Sequence, residues 1–285
     1  MNTKETQKNK IKISHECPLC LLEESKNFND YDYALCHLFD NHPDYYDFFI
    51  RSSKQGRMII LDNSLFETSE MFDNNKFLEY INAIQPSHYI IPDAFMDKDA
   101  TITNVKLWNK KYKPQIKYMG KSVGVVQGRS IQEFIDCYKE IINDVDVIAF
   151  PHRIPSDILN NFDKSSIKES KELYDTLVLG MHTINRQTLI MRLYKEGLID
   201  ETKEHHLLGC TLPQEFLVYQ NYNFITSCDT SSPVIHGIFN SLYKDNNEGI
   251  TRKLPMKVCD LIDCELSDSQ KEAIYANTER FKYFI

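Results

Sequence analysis

Seven short apolar runs, most of them ending in a polar side chain and alternating with stretches of helical spacing, constrain this chain more than any other feature. They cover residues 31–39, 57–62, 88–93, 122–127, 146–153, 205–210 and 223–228. Runs of this length without polar alternation read as strands buried on both faces, as in a parallel sheet. Between them, residues 43–54, 69–84, 98–112, 130–142, 165–197 and 213–220 carry apolar side chains at helical spacing, clearest in Ile131, Phe134, Ile135, Tyr138, Ile141 and Ile142. Met71 and Phe72 are expected on the apolar face of the second helix, Val105, Leu107 and Trp108 as anchors of the third, and a break near Gly180 in the fifth. Strands alternating with helices imply a parallel sheet with right-handed crossovers. At 285 residues the pattern fits a single-domain (β/α)8, TIM-like barrel over residues 13–285. Residues 1–12 read as a flexible polar arm and 267–282 as a closing helix. The eighth strand is not evident, and residues 254–262 are the candidate. A doubly wound open sheet is the competitor, but no Gly-rich nucleotide loop follows any run.

In a barrel, chemistry gathers at the C-terminal ends of the strands. Asp62, Asp93, Gln127, His152 and Asp229 all lie at or next to the ends of runs and would converge on one mouth. The richest stretch is 223–233, where Asp229 is flanked by Thr226, Ser227, Thr230, Ser231 and Ser232, hydroxyls able to hold a carboxylate in one rotamer. Asp229 or Asp93 could instead cap the following helix, and Asp62 could be an ordinary turn residue. Taken together, the set suits a flat ligand with several donors and acceptors, such as a purine-like base. A carboxylate accepts paired N–H groups, Gln127 donates to a carbonyl, and the backbone of Gly128 allows close approach. Two more aspartates, one nucleophilic and one proton-handling, would complete a glycosyl exchange.

A net charge of −8 argues against simple coating of nucleic acid, so any nucleic-acid contact needs local cations. Candidates are Arg51, Lys54, Arg57, the run Lys110, Lys111, Lys113, Lys117 and Lys121, and Arg129; Tyr45, Tyr46, Phe66 and Phe95 are candidate stacking rings. Among the eight cysteines, Cys17 and Cys20 at C-x-x-C spacing with Cys36 and His42 are a possible zinc set. A strand through 31–39 would point Cys36 and His37 to opposite faces, so buried thiols are the default and no cofactor is required. No apolar run approaches a membrane span, and the N-terminus lacks the apolar core of a signal peptide. The expectation is a cytoplasmic protein (host cytoplasm if phage-encoded) with no membrane partner.

The order of these motifs resembles the tRNA-guanine transglycosylase superfamily, most closely its phage and bacterial DNA branch, the DpdA-type enzymes. The carrying residues are the stretch from Ile59 through Asp62 to Glu67, then Ile91-Pro92-Asp93, Gly124 through Gln127-Gly128, Phe150 through Arg153, His206 through Gly209, and Ser227 through Pro233. The resemblance spans about residues 31–237. It implies a (β/α)8 barrel that exchanges guanine in DNA, flipped or single-stranded, for a 7-deazaguanine base such as preQ0. Asp229 is implied to be the nucleophile and Asp62 the general acid/base. Asp93, Gln127, Gly128, His152, Arg153 and Gly209 are implied to line the base site. Two displacements at one carbon retain its configuration, as in retaining glycosidases. The tRNA enzymes carry a C-terminal zinc site built from a C-x-C-x-x-C run and a histidine; here only Cys259 and Cys264 follow Asp229, with no histidine after His236. That departure favours the DNA branch. The alternatives are a tRNA-guanine transglycosylase, a non-catalytic partner subunit of such an enzyme, and an N-glycosidase that hydrolyses without exchange.

Overall fold

In the computed structural model, which describes residues 10–155, 171–243, 254 and 256–285, eight parallel strands form one nearly closed (β/α)8 barrel. The strands are β1 Lys12–His15, β2 Asp32–Leu35, β3 Ile59–Asp62, β4 His88–Ile90, β5 Lys121–Val125, β6 Val147–Phe150, β7 Glu204–Leu207 and β8 Ile225–Thr230. Hydrogen bonding runs in the order β1-β8-β7-β6-β5-β4-β3-β2. The seam between β1 and β2 is closed by Asp30, whose N–H donates to the Ile13 carbonyl (2.8 Å) while its carboxylate accepts from the Ile13 N–H (2.9 Å).

Nine α-helices among the described residues accompany the strands: α1 Leu22–Ser25, α2 Pro43–Lys54, α3 Leu65–Thr68, α4 Asn74–Ile84, α5 Lys98–Leu107, α6 Ile131–Ile141, α7 Lys171–Lys195, α8 Ser232–Ile238 and α9 Asp268–Lys282. Four of the longer ones begin at a capping side chain: Asp73 before α4, Asp97 before α5, Ser130 before α6 and Ser267 before α9. In α6, Ser130 accepts from the Glu133 N–H (3.2 Å) and Phe134, Ile135, Tyr138 and Ile141 are buried. Helices α8 and α9 cross so closely that a Cβ at Gly237 would lie 2.6 Å from the Ile274 backbone nitrogen. No helix among the described residues is long and apolar enough to cross a membrane.

Several expectations need correction. The eighth strand is β1, at the start of the barrel, so the polar arm ends before Lys12; the described part of 254–262 is irregular, with a 3-10 turn at Val258–Leu261. Strand β2 stops at Leu35, and Cys36 and His37 lie in a 3-10 turn rather than on opposite faces of a strand. Helix α7 runs through Gly180 without the expected break; residues 165–170 of that expected helix lie outside the described residues. Leu107 and Met71 are exposed rather than anchoring, whereas Val105 and Trp108 are buried as expected.

Candidate functional site

Asp229 sits near the end of β8, buried to 3 % exposure, and its carboxylate turns to β7 rather than to the helix that follows. His206 Nε2 donates to Oδ1 at 3.0 Å, and the Gly209 N–H reaches Oδ1 at 3.2 Å and Oδ2 at 3.1 Å. Ser227 Oγ lies 2.8 Å from His206 Nδ1. With that hydroxyl donating to Nδ1, Nε2 is the nitrogen that presents an N–H to Asp229. Gly209 has φ +64°, a left-handed conformation that turns its N–H back onto the carboxylate and that suits a residue without Cβ. The capping alternative fails for Asp229, because the Ser232 N–H at the start of α8 is taken by Thr230 Oγ1. Asp93 does not cap α5 either, since Asp97 holds the Ala100 N–H.

Asp62 ends β3. Its Oδ2 accepts from the Tyr33 hydroxyl on β2 and its Oδ1 from the backbone N–H of Ser64, a left-handed residue with φ 61°. The residue is half-buried because it faces the cavity, yet protein surrounds its carboxyl. Burial, first, and the negative charges of Glu67 and Asp229 push its pKa well above the usual carboxylate range, against the two hydrogen bonds, which hold it down. Both oxygens keep a lone pair, so the group can carry a proton without losing either bond.

Asp93 follows β4 and is buried. Asn63 Nδ2 donates to its Oδ1 (3.0 Å) and Gln127 Nε2 to its Oδ2 (2.6 Å). Burial pushes its pKa up, and those two amides offset part of the effect. Gln127 Oε1 in turn accepts from the Met96 N–H at 3.1 Å. Gly128 is not part of the cavity wall: a Cβ there would lie 2.9 Å from the Phe134 nitrogen, so the glycine lets the loop pass against the start of α6. This replaces its expected role beside a base.

One cleft is lined by Asp62, Asp93, Gln127, His152, Arg153, Gly209 and Asp229 together. The imidazole of His152 lies 5.6 Å from that of His182, and Arg153 extends over the Phe66 ring at 4.9 Å. Phe66 and Phe95 also line the cleft and are exposed. Tyr45 does not: it is core, with its hydroxyl accepting from the Leu35 N–H, and Tyr46 packs on Phe39 and Tyr80. The expected phosphate-binding cations are misplaced too. Arg51, Lys54 and Arg57 precede β3 and the 110–121 lysines precede or open β5, at the end of the barrel opposite the mouth. There Arg57 pairs with Asp32 (2.7 Å), Arg51 with Glu23 (3.0 Å) and Lys121 with Glu204 (2.6 Å). Only Arg129 of that set follows a strand, its Nε donating to the Met96 carbonyl at 3.3 Å.

The candidate zinc residues have separate surroundings. Cys17 Sγ donates to the His15 carbonyl, Cys36 is buried, Cys20 is exposed, and His42 Nδ1 lies 3.4 Å from Asp263. Among the described residues no group of three or more His, Cys, Asp and Glu side chains could hold a metal ion.

Sequence reasoning missed three members of the site. Tyr33 was read only as part of a strand, His206 only as part of a motif, and Asn63 only as a turn neighbour. Strand position carried the signal for Tyr33: in the β2–β3 register Leu35 pairs with Asp62, and a long side chain two residues earlier still reaches that carboxyl. Comparison of the sequence with protein-family models and with curated proteins finds no match.

Proposed function

We propose that this chain is a base-exchanging transglycosylase that replaces guanine in DNA with a 7-deazaguanine such as preQ0. The observation that carries the reading is the unequal treatment of two carboxyls in one cavity. Asp229 is fixed by an imidazole N–H and a backbone N–H, whereas burial and neighbouring negative charge push the Asp62 pKa up. Such unequal surroundings support a nucleophile and an acid/base as the roles of the pair.

In the first step Asp229 Oδ2, the oxygen not facing His206, forms a bond to C1′ of an extruded deoxyguanosine as the C1′–N9 bond breaks. Asp62 gives its proton to the departing guanine. In the second, Asp62 takes the N9 proton of the incoming 7-deazaguanine, whose nitrogen bonds C1′ and releases Asp229. Protons and electron pairs balance, and configuration is retained. Asp93, with Asn63 and Gln127 ordering it, would accept N–H groups of the base edge, a role that its buried, doubly bonded carboxyl supports. No cofactor enters either step. A base inside a duplex must be flipped or supplied single-stranded to reach such a cavity.

The test is incorporation of labelled guanine or preQ0 into plasmid DNA, with transfer RNA in a parallel reaction. Wild type is expected to label DNA, and Asp229→Ala to lose the activity by on the order of 10³-fold or more. Equal labelling by both proteins removes Asp229 from its role. Labelling of transfer RNA alone moves the substrate to the other branch, and release of guanine without any incorporation makes the chain a hydrolase.

A further inference from the structure

Among the described residues five acidic side chains, Glu16, Asp62, Glu67, Asp93 and Asp229, line the cavity, and those that are ionised repel phosphate while leaving room for a neutral base. A polyanionic strand feeding a base into such a cavity needs cations, and needs them at the rim. Among the described residues two are there, outside the cations expected from the sequence to meet phosphate. The Arg153 guanidinium stands 4.9 Å from the centre of the Phe66 ring and the Lys257 ammonium 5.0 Å from the same centre. Phe66 itself is 45 % exposed. Lys257 Nζ also donates to the carbonyls of Phe66 (3.1 Å) and Glu67 (3.0 Å), at the end of α3, which leaves it one further N–H. Among the described residues no carboxylate lies within ion-pair distance of Arg153 or Lys257. That sets them apart from Arg51, Arg57, Lys113 and Lys121, each of which has such a partner. An aromatic ring orders a guanidinium or ammonium without neutralising it, so both keep their charge for a ligand.

We propose that Arg153 and Lys257, docked on Phe66, form a phosphate clamp at the cavity rim that holds the nucleic-acid strand on either side of the extruded nucleotide. That a strand enters this cavity at all rests on the base-exchange reading, and the salt-slope test reads the clamp separately from the exchange. Arg153 supplies the planar, bidentate contact and Lys257 a point charge. Phe66 sets their separation, and the acidic floor keeps the backbone from following the base inward.

The test is fluorescence anisotropy of a labelled single-stranded DNA oligonucleotide containing one guanine, titrated with the full chain at several salt concentrations. The proteins are wild type, Arg153→Gln, Lys257→Met, the double variant and the charge-keeping Arg153→Lys. Each phosphate contact on a single strand contributes about 0.7 to the slope of log affinity against log salt. The double variant is therefore expected to be shallower by about 1.4 and each single neutral variant by about 0.7. Affinity at low salt should fall roughly tenfold per contact, and Arg153→Lys should keep the wild-type slope. An RNA oligonucleotide of the same sequence should lose the same factor, because phosphate carries the contact. Unchanged slopes in Arg153→Gln, which breaks no hydrogen bond among the described residues, overturn the clamp, as does an effect confined to DNA. Wild-type binding with the expected slope changes but no base incorporation would leave the clamp standing and remove the exchange reading instead.

Discussion

The Tyr33 hydroxyl donates to Asp62, and its ring lies on the His206 imidazole with centres 6.2 Å apart and planes 14° from parallel. His206 donates to Asp229. One buried side chain therefore touches both halves of the proposed chemistry, holding the acid/base by a hydrogen bond and backing the ring that orients the nucleophile. Its bond favours the ionised form of Asp62, so removing it pushes the Asp62 pKa higher still. Tyr33→Phe keeps the stacked ring and loses only the hydroxyl. A general acid works while protonated, so the alkaline limb of the pH–rate profile for base release should move to higher pH in this variant. The maximal rate should fall on the order of 10²-fold, because Asp62 loses one of the two bonds that fix its carboxyl. A lower rate with an unmoved alkaline limb would mean that Tyr33 supports the fold and not the titration of Asp62.

At the level of elements, the loop that carries Gly209 is held from behind by α7. Arg186, fully buried, donates to both oxygens of Glu215 (2.7 Å each), to the Leu208 carbonyl (2.6 Å) and to the Phe150 carbonyl at the end of β6 (3.4 Å). Tyr219 completes the set through Glu215 Oε1 at 2.8 Å. Breaking a buried pair from one side leaves an uncompensated charge, so Arg186→Met should cost about 3–5 kcal/mol in chemical denaturation. The double change Arg186→Met with Glu215→Leu should recover part of that loss; no recovery would show that the carbonyl contacts, and not the charges, carry the stability. None of this network was legible in the sequence, where Arg186 was one polar residue within a helical stretch and Glu215 lay in a short apolar one. What was legible depends on local pattern: seven of eight strands, the longer helices, and the strand-end residues Asp62, Asp93, Gln127 and Asp229. Strand β1 escaped because two of its four residues, Ser14 and His15, are polar and yet buried. Its burial is made tolerable by Asn29, which bonds the His15 N–H (2.7 Å) and Nδ1 (2.8 Å), a partner that no periodicity announces. The rim cations escaped for a related reason. Charge runs in the sequence mark solvated helix ends, whereas Arg153 and Lys257, more than a hundred residues apart, meet only on the Phe66 ring.

Across the whole molecule, two kinds of buried titratable group pull stability in opposite directions as pH changes. Burial lowers both His15 and His205 to about 4. Unfolded histidine takes up a proton near 6.5, so these rings stabilise the fold above that pH and lose the contribution as pH falls from 6.5 toward 4, roughly 3 kcal/mol for each. Asp62 and Asp93 are shifted up, so the folded chain keeps their protons where the unfolded chain has released them. Their contribution is present at low pH and is lost as pH rises through the folded pKa. Between pH 4 and 6.5 the two sets oppose, and substitutions separate them. His205 packs beside Tyr138 and Phe150 with ring centres 5.9 and 5.7 Å away, those two rings being 6.2 Å from each other, so His205→Phe keeps the ring contacts while deleting a proton site and its bonds to the Tyr138 hydroxyl and the Lys203 carbonyl. Its urea midpoint should fall less than that of wild type on acidification from pH 7 to 4.5. Asp62→Asn should do the reverse: it removes a term that rises as pH falls, so its midpoint should exceed the wild-type value at pH 7 and then drop more steeply with acid. Parallel midpoint-versus-pH curves for the three proteins would sink both assignments, and with them the claim that the folded site raises the Asp62 pKa.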